Sequence, residues 1–160
     1  MNEQARKKIM NGIDANIKRY GWTVMGVFNH EGKPPLAYTV GFEETLQHPE
    51  IIMSGLQIEL MHTLLNVMGH MIQGGQRFED GQLVSDIIEK YPVKFIDVPF
   101  ETAIRHLTAC NAHYPKEIGY RTLQCVLPQK DGQFQATSDD FQMIFSTQQN
   151  NKQSKKGSTA

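Results

Sequence analysis

The sequence predicts an α+β domain: a mostly antiparallel, curved sheet or split barrel packed with one long amphipathic helix. Three observations lead there. Apolar residues recur with a helical period over two long segments and with a period of two over several short ones. The connection between the first two alternating runs is too short for a parallel crossover. The element order of helix, three strands, helix, strand, helix, strand departs from the regular alternation of a doubly wound sheet.

The first helix is predicted over 2–20, because Ile9, Ile13 and Ile17 return every fourth position among Arg6, Lys7, Lys8, Lys18 and Arg19. Gly21 stands where a helix C-cap favours positive φ. Trp22 to Phe28 alternates as a strand. The polar run Asn29-His30-Glu31-Gly32-Lys33 makes a turn, and Pro34-Pro35 leads into a second, antiparallel strand, Leu36 to Gly41. After a loop from Phe42 to Pro49, the apolar run Glu50 to Ser54 suits a central strand. The longest helix is predicted over about 57–73, with Ile58, Met61, Leu64, Leu65, Met68 and Ile72 as its buried stripe and Gly74-Gly75 as its stop. A weaker helical pattern covers 82–89. Val93 to Val98 reads as a fourth strand, Phe100, Ala103, Ile104 and Leu107 as a helix, and Tyr120 to Leu127 as a fifth strand. Asp131-Gly132 is a candidate hairpin turn toward Phe134. A single domain is expected over 1–146, and the Gln/Asn/Ser/Lys segment 147–160, with nothing apolar to bury, is expected to be a disordered tail.

Net charge is −1, and Lys152, Lys155 and Lys156 lie in the tail, so no basic surface is expected to engage nucleic acid. No stretch approaches the ~18 apolar residues of a membrane span, and the charged, polar first residues do not read as a secretory signal. Cys110 and Cys125 fall on a predicted helix and strand, as buried reduced thiols. The expected compartment is the cytoplasm.

The segment from Thr39 to Glu50 is the richest in chemistry. Pro49 keeps His48 extended, and residues two apart in extended backbone share a side. His48 and Glu50 are therefore expected to form an imidazole–carboxylate pair, serving as a general base, as a ligand anchor, or as a strand-start turn in which Glu50 only pins His48. Ser54-Gly55 at the start of the long helix offers free N–H groups to an anion, or ordinary capping. Tyr38 and Thr39 border the same region, and Arg121 or Gln124 lines it according to which face of the last strand looks inward. Tyr38 also reads as a core aromatic with a bonded hydroxyl. His62, Asn66 and His70 repeat every fourth residue without the adjacent spacing that grips zinc, and read as a solvated helix face; no metal site is expected.

Several segments are familiar. Gly21-Trp22-Thr23-Val24-Met25, Pro34-Pro35-Leu36-Ala37-Tyr38-Thr39-Val40-Gly41, His48-Pro49-Glu50-Ile51-Ile52 and Ser54-Gly55-Leu56 resemble the bacterial family called domain of unknown function 4262. Arg77-Phe78, Tyr91-Pro92-Val93-Lys94-Phe95 and Leu123-Gln124-Cys125-Val126-Leu127-Pro128 continue the match. That resemblance implies no established activity. A looser similarity, of Tyr38 to Phe42 and Pro49 to Ser54, is to flavin-reductase-like split barrels, and implies a barrel-edge pocket for a flavin or nucleotide.

The leading functional expectation is a small-molecule binding domain for a phosphate-bearing or nucleotide-like ligand. Tyr38, Thr39, His48, Glu50, Ser54 and Gly55 would contact it, with Arg121 or Gln124. The alternatives are an enzyme, either a flavin-dependent reductase or a hydrolase using His48 and Glu50, and a homodimeric interaction module without ligand.

Overall fold

The computed structural model describes residues 2–28 and 31–146. Helix α1 (Glu3–Tyr20) starts at Asn2, whose side chain accepts the Ala5 N–H at 2.7 Å and satisfies one donor of the first turn. It ends at Gly21 with φ of 98°, the expected left-handed cap. Ile13 and Ile17 are buried but Ile9 is largely exposed, so the apolar stripe is shorter than the isoleucine repeat suggests. Strands β1 (Thr23–Val27) and β2 (Leu36–Val40) pair antiparallel, with Thr23 opposite Val40. Asn29 and His30 of the turn between them lie outside the described residues.

The segment after β2 is not all loop: it holds a short helix, α2 (Phe42–Leu46). Strand β3 (Glu50–Ser54) and the long helix α3 (Ile58–Gln73) follow as expected. Met61, Leu64, Leu65, Met68 and Ile72 are buried on α3, and Ile58 is half-buried. The helix expected over 82–89 does not form. Leu83–Val84 make a two-residue edge strand, β4, against β5 (Val93–Val98), and Asp86 and Lys90 have φ of 75° and 78°, outside any right-handed helix. The helix marked by Phe100 and Leu107 divides into α4 (Phe100–Ala103) and α5 (Thr108–His113), because Leu107 adopts a non-helical φ of −92° and ψ of 63°. Strand β6 (Thr122–Val126) comes last. At Asp131-Gly132 there is a turn, with Asp131 accepting the Gln133 N–H at 2.9 Å, and no strand follows it among the described residues.

The strand order is β1-β2-β3-β6-β5-β4. Four of the five pairings are antiparallel and β3–β6 is parallel, so the sheet is mixed but mostly antiparallel. β1 and β4 are its two edges; it stays open and does not close into a barrel. Side chains alternate between two cores. On one face α3 covers Ala37, Ile51, Met53, Leu123 and Cys125. On the other, α1 and α5 cover Tyr38, Val40 and Ile52. Hence β2, β3 and β6 are buried along their whole length, as strands covered from both sides must be.

Over β5 and β6 the second face is covered by residues 142–146 instead of a helix. Gln124 Nε2 donates to the Met143 carbonyl at 2.6 Å and its Oε1 accepts the Phe145 N–H at 2.8 Å. Gln142 treats the backbone of Leu127 in the same way, at 2.8 and 3.2 Å. Side-chain amides thus satisfy backbone groups that a sheet ladder would otherwise pair. Residues 147–160, the expected disordered tail, lie outside the described residues. No described helix is long and apolar enough to cross a membrane.

Candidate functional site

The strand order brings chemically distinct groups to one end of the sheet. β3 and β6 run parallel with Glu50 beside Thr122, so Arg121 and Tyr120 arrive next to the start of β3. β5 is antiparallel to β6 with Val98 opposite Thr122, which delivers Phe100. The end of β2 supplies Thr39, and the close of α5 supplies Tyr114.

Glu50 is the centre of this region and is fully buried. Its Oε1 accepts from the Thr39 hydroxyl at 2.8 Å and the Phe42 N–H at 3.1 Å. Its Oε2 accepts from the Gly41 and Glu43 N–H groups at 3.1 and 3.3 Å and from the Tyr114 hydroxyl. The fan of N–H groups depends on Gly41, whose φ of 119° is strained for any residue with a side chain. An added Cβ there would meet the Gly21 carbonyl at 2.8 Å. Among the described residues no Lys or Arg is bonded to this carboxylate. Burial pushes the Glu50 carboxyl up to about 7 while its five donors pull the other way. Burial and the nearby Glu50 also raise the Tyr114 phenol, which stays a donor.

Tyr114 forms part of a cleft of about 720 Å³, whose walls include Glu43, Glu44, Phe100, Lys116, Tyr120 and Arg121. A second lobe of about 420 Å³ shares Phe100, Tyr114, Lys116 and Tyr120 and adds Ile104 and Asn111. The Tyr114 and Tyr120 rings lie 5.6 Å apart at 32°, and Phe100 meets Tyr120 edge-on at 5.4 Å, giving the cleft an aromatic floor. The Tyr120 hydroxyl donates to Asn111 Oδ1 at 2.7 Å. On the rim, Arg121 Nε and Nη2 each donate to Glu43 at 2.8 Å, a bidentate pair. Burial alone would raise Glu43, but the Arg121 contacts hold its carboxyl below the usual range. His113 bridges Asp14 and Glu44 at 3.3 and 2.8 Å, tying α1, α2 and α5 together beside the cleft.

The family model for DUF4262, a domain of unknown function, matches residues 16–139. The chain belongs to the DUF4262 family. No curated protein and no solved structure matches it, so the likeness to flavin-reductase-like split barrels is not shown, and the open sheet lacks their closure. The matched span of this DUF4262 domain contains the whole cleft.

The structure joins Thr39 and Glu50, places Arg121 on the cleft rim, and separates the other expected site residues. The His48–Glu50 pair does not form. His48 is fully buried in an aromatic column, edge-on to Phe42 and Phe78. Its Nε2 accepts the Phe78 N–H at 3.0 Å and its Nδ1 lies 2.8 Å from the Pro49 carbonyl. That pattern assigns the proton to Nδ1, and burial holds the imidazole below its ordinary pKa. The backbone groups that compete for the imidazole were not legible in the sequence. Tyr38 lies on the sheet face opposite His48, the face that also carries Tyr120, but its hydroxyl is taken up inside the core, where it accepts the Ala109 N–H at 3.0 Å.

Ser54 accepts the Met143 N–H at 3.2 Å, and a Cβ on Gly55 would meet the Phe141 carbonyl at 2.7 Å. The C-terminal segment therefore covers the expected anion cradle. Gln124 is spent on that same segment. β6 is buried on both faces, so neither face opens onto a cavity.

The solvated face of α3 is also modified: Asn66 accepts the Trp22 Nε1–H at 2.9 Å and His70 packs edge-on against the indole. Both cysteines are free and buried, and no described cluster of His, Cys, Asp or Glu suits a metal. Missed from sequence were Phe100, Tyr114, Lys116 and Tyr120. The density of aromatic and basic residues between Tyr114 and Arg121 was the available signal.

Proposed function

We propose that this domain binds a small molecule in the two-lobed cleft floored by Tyr114, Tyr120 and Phe100, and that the ligand is phosphate-bearing or nucleotide-like. The observation that supports this reading is the cleft itself. Its volume, about 720 Å³, is in the range of ligand sites, and it combines an apolar floor with a few polar groups at the edge. A nucleobase or isoalloxazine presents a flat face suited to the tyrosine rings. Lys116 and Arg121 supply positive charge at the rim. The Glu50–Tyr114 bond fixes the floor from behind. A hydrolase built on His48 gains no support, since both ring nitrogens are engaged inside the core.

The test is thermal-shift screening followed by calorimetry with nucleosides, nucleotides, riboflavin and flavin mononucleotide. Saturable binding to the wild type that weakens in Phe100→Ala is the expected result. If no compound stabilises the protein, or Phe100→Ala binds unchanged, the cleft is not the site.

A further inference from the structure

The charges around the cleft restrict what can enter it. Its walls carry two acids, Glu43 and Glu44, against two bases, Lys116 and Arg121. Arg121 is already held by both Glu43 oxygens, and Glu44 by His113. Behind the floor, Glu50 adds a further negative charge when ionised. Lys116 is the one cleft cation with no ion pair among the described residues. Beyond the floor the surface is apolar: Phe100, Ile104 and Ile118 are 45%, 43% and 78% exposed, three large side chains gathered around one opening. A gathered apolar surface of this kind is more often used than left to water.

We infer that the cleft takes an amphipathic, flat molecule with one anionic group: a ring system on Tyr114 and Tyr120, an apolar part over Phe100, Ile104 and Ile118, and a single phosphate or carboxylate at Lys116. This narrows, and rests on, the ligand-binding reading above. The physical reason is charge balance. One anionic group finds one uncommitted ammonium, whereas a polyphosphate finds the same ammonium, an arginine it must take from Glu43, and two or three carboxylates nearby. Like charges at this range repel with little screening by salt where the groups are partly buried.

Calorimetry compares adenosine, its monophosphate and its triphosphate, together with riboflavin and flavin mononucleotide, on wild type, Lys116→Ala and Phe100→Ala. Both variants change exposed side chains. In at least one series the monophosphate is expected to bind up to about fivefold tighter than its nucleoside, the scale of a single exposed ion pair. Lys116→Ala should abolish that gain, and the triphosphate should bind no tighter than the monophosphate. A triphosphate that binds tighter than its monophosphate, or a gain that survives Lys116→Ala, overturns the single-anion class. Those outcomes leave the cleft in place provided Phe100→Ala still weakens binding. Absence of binding by every compound, or binding indifferent to Phe100→Ala, overturns both the class and the site.

Discussion

Glu50→Gln probes the balance at the centre of the site. The carboxylate is fully buried and has five donors but, among the described residues, no bonded cation. Burial disfavours its charge, the donors favour it, and the outcome is a carboxyl pushed up to about 7 from an ordinary 4.5. Because the folded value lies above the unfolded one, the folded chain binds more protons between the two, and stability falls as pH rises. The contribution is complete below about pH 4.5 and gone once pH passes about 7. At about 1.4 kcal/mol per tenfold change in proton affinity, the total is about 3 kcal/mol. Glutamine keeps the shape and removes the titration. Every other group, including His48 with its opposite-signed shift, titrates in both proteins and cancels in their difference. Urea unfolding at about pH 5 and about pH 8 should therefore give a wild-type-minus-variant stability that is about 2–3 kcal/mol larger at the lower pH. A flat difference, or one that grows toward pH 8, would refute the claim that burial outweighs the donors.

Four further outcomes follow from single contacts. Gly69→Ala places a Cβ 2.5 Å from the Trp22 indole; it should cost about 1–3 kcal/mol and shift tryptophan emission, and an unchanged melting temperature would contradict that packing. Gln124→Leu removes the side-chain amide that accepts the Phe145 N–H and donates to the Met143 carbonyl, at roughly 1–3 kcal/mol, and should accelerate amide exchange at Phe145; equal exchange would mean the segment is held otherwise. Arg121→Ala removes a rim ion pair whose arginine end is exposed and whose Glu43 end is partly buried and should change stability by about 1 kcal/mol or less, so a larger loss in denaturant unfolding would assign the arginine a structural role. Nitrogen NMR should find His48 neutral with its proton on Nδ1 at neutral pH, as its bonds require; an imidazolium signal would exclude that arrangement.

The sequence by itself determined the elements whose side chains repeat with a clear period. α1, α3, β2, β3, β5 and β6 emerge close to their expected bounds because burying an apolar stripe is a local pattern with a large free energy behind it. It also determined that β1 and β2 pair antiparallel, a matter of connection length. Where apolar spacing imitated a helix over 82–89, positive φ at Asp86 and Lys90 prevailed, and spacing carries no trace of that. The candidate site was legible only in part. Thr39, Glu50 and Arg121 were recognisable as polar groups among apolar strands, but the partners of Glu50 come from α2 and from Tyr114, which is 64 residues away in the chain. Which donor satisfies a buried carboxylate depends on which backbone groups the packing leaves free nearby. Periodicity places a side chain on a face, and only the sheet order β3–β6–β5, with α5 docked beside it, decided that Glu50, Tyr114, Tyr120 and Phe100 would meet at one end of it.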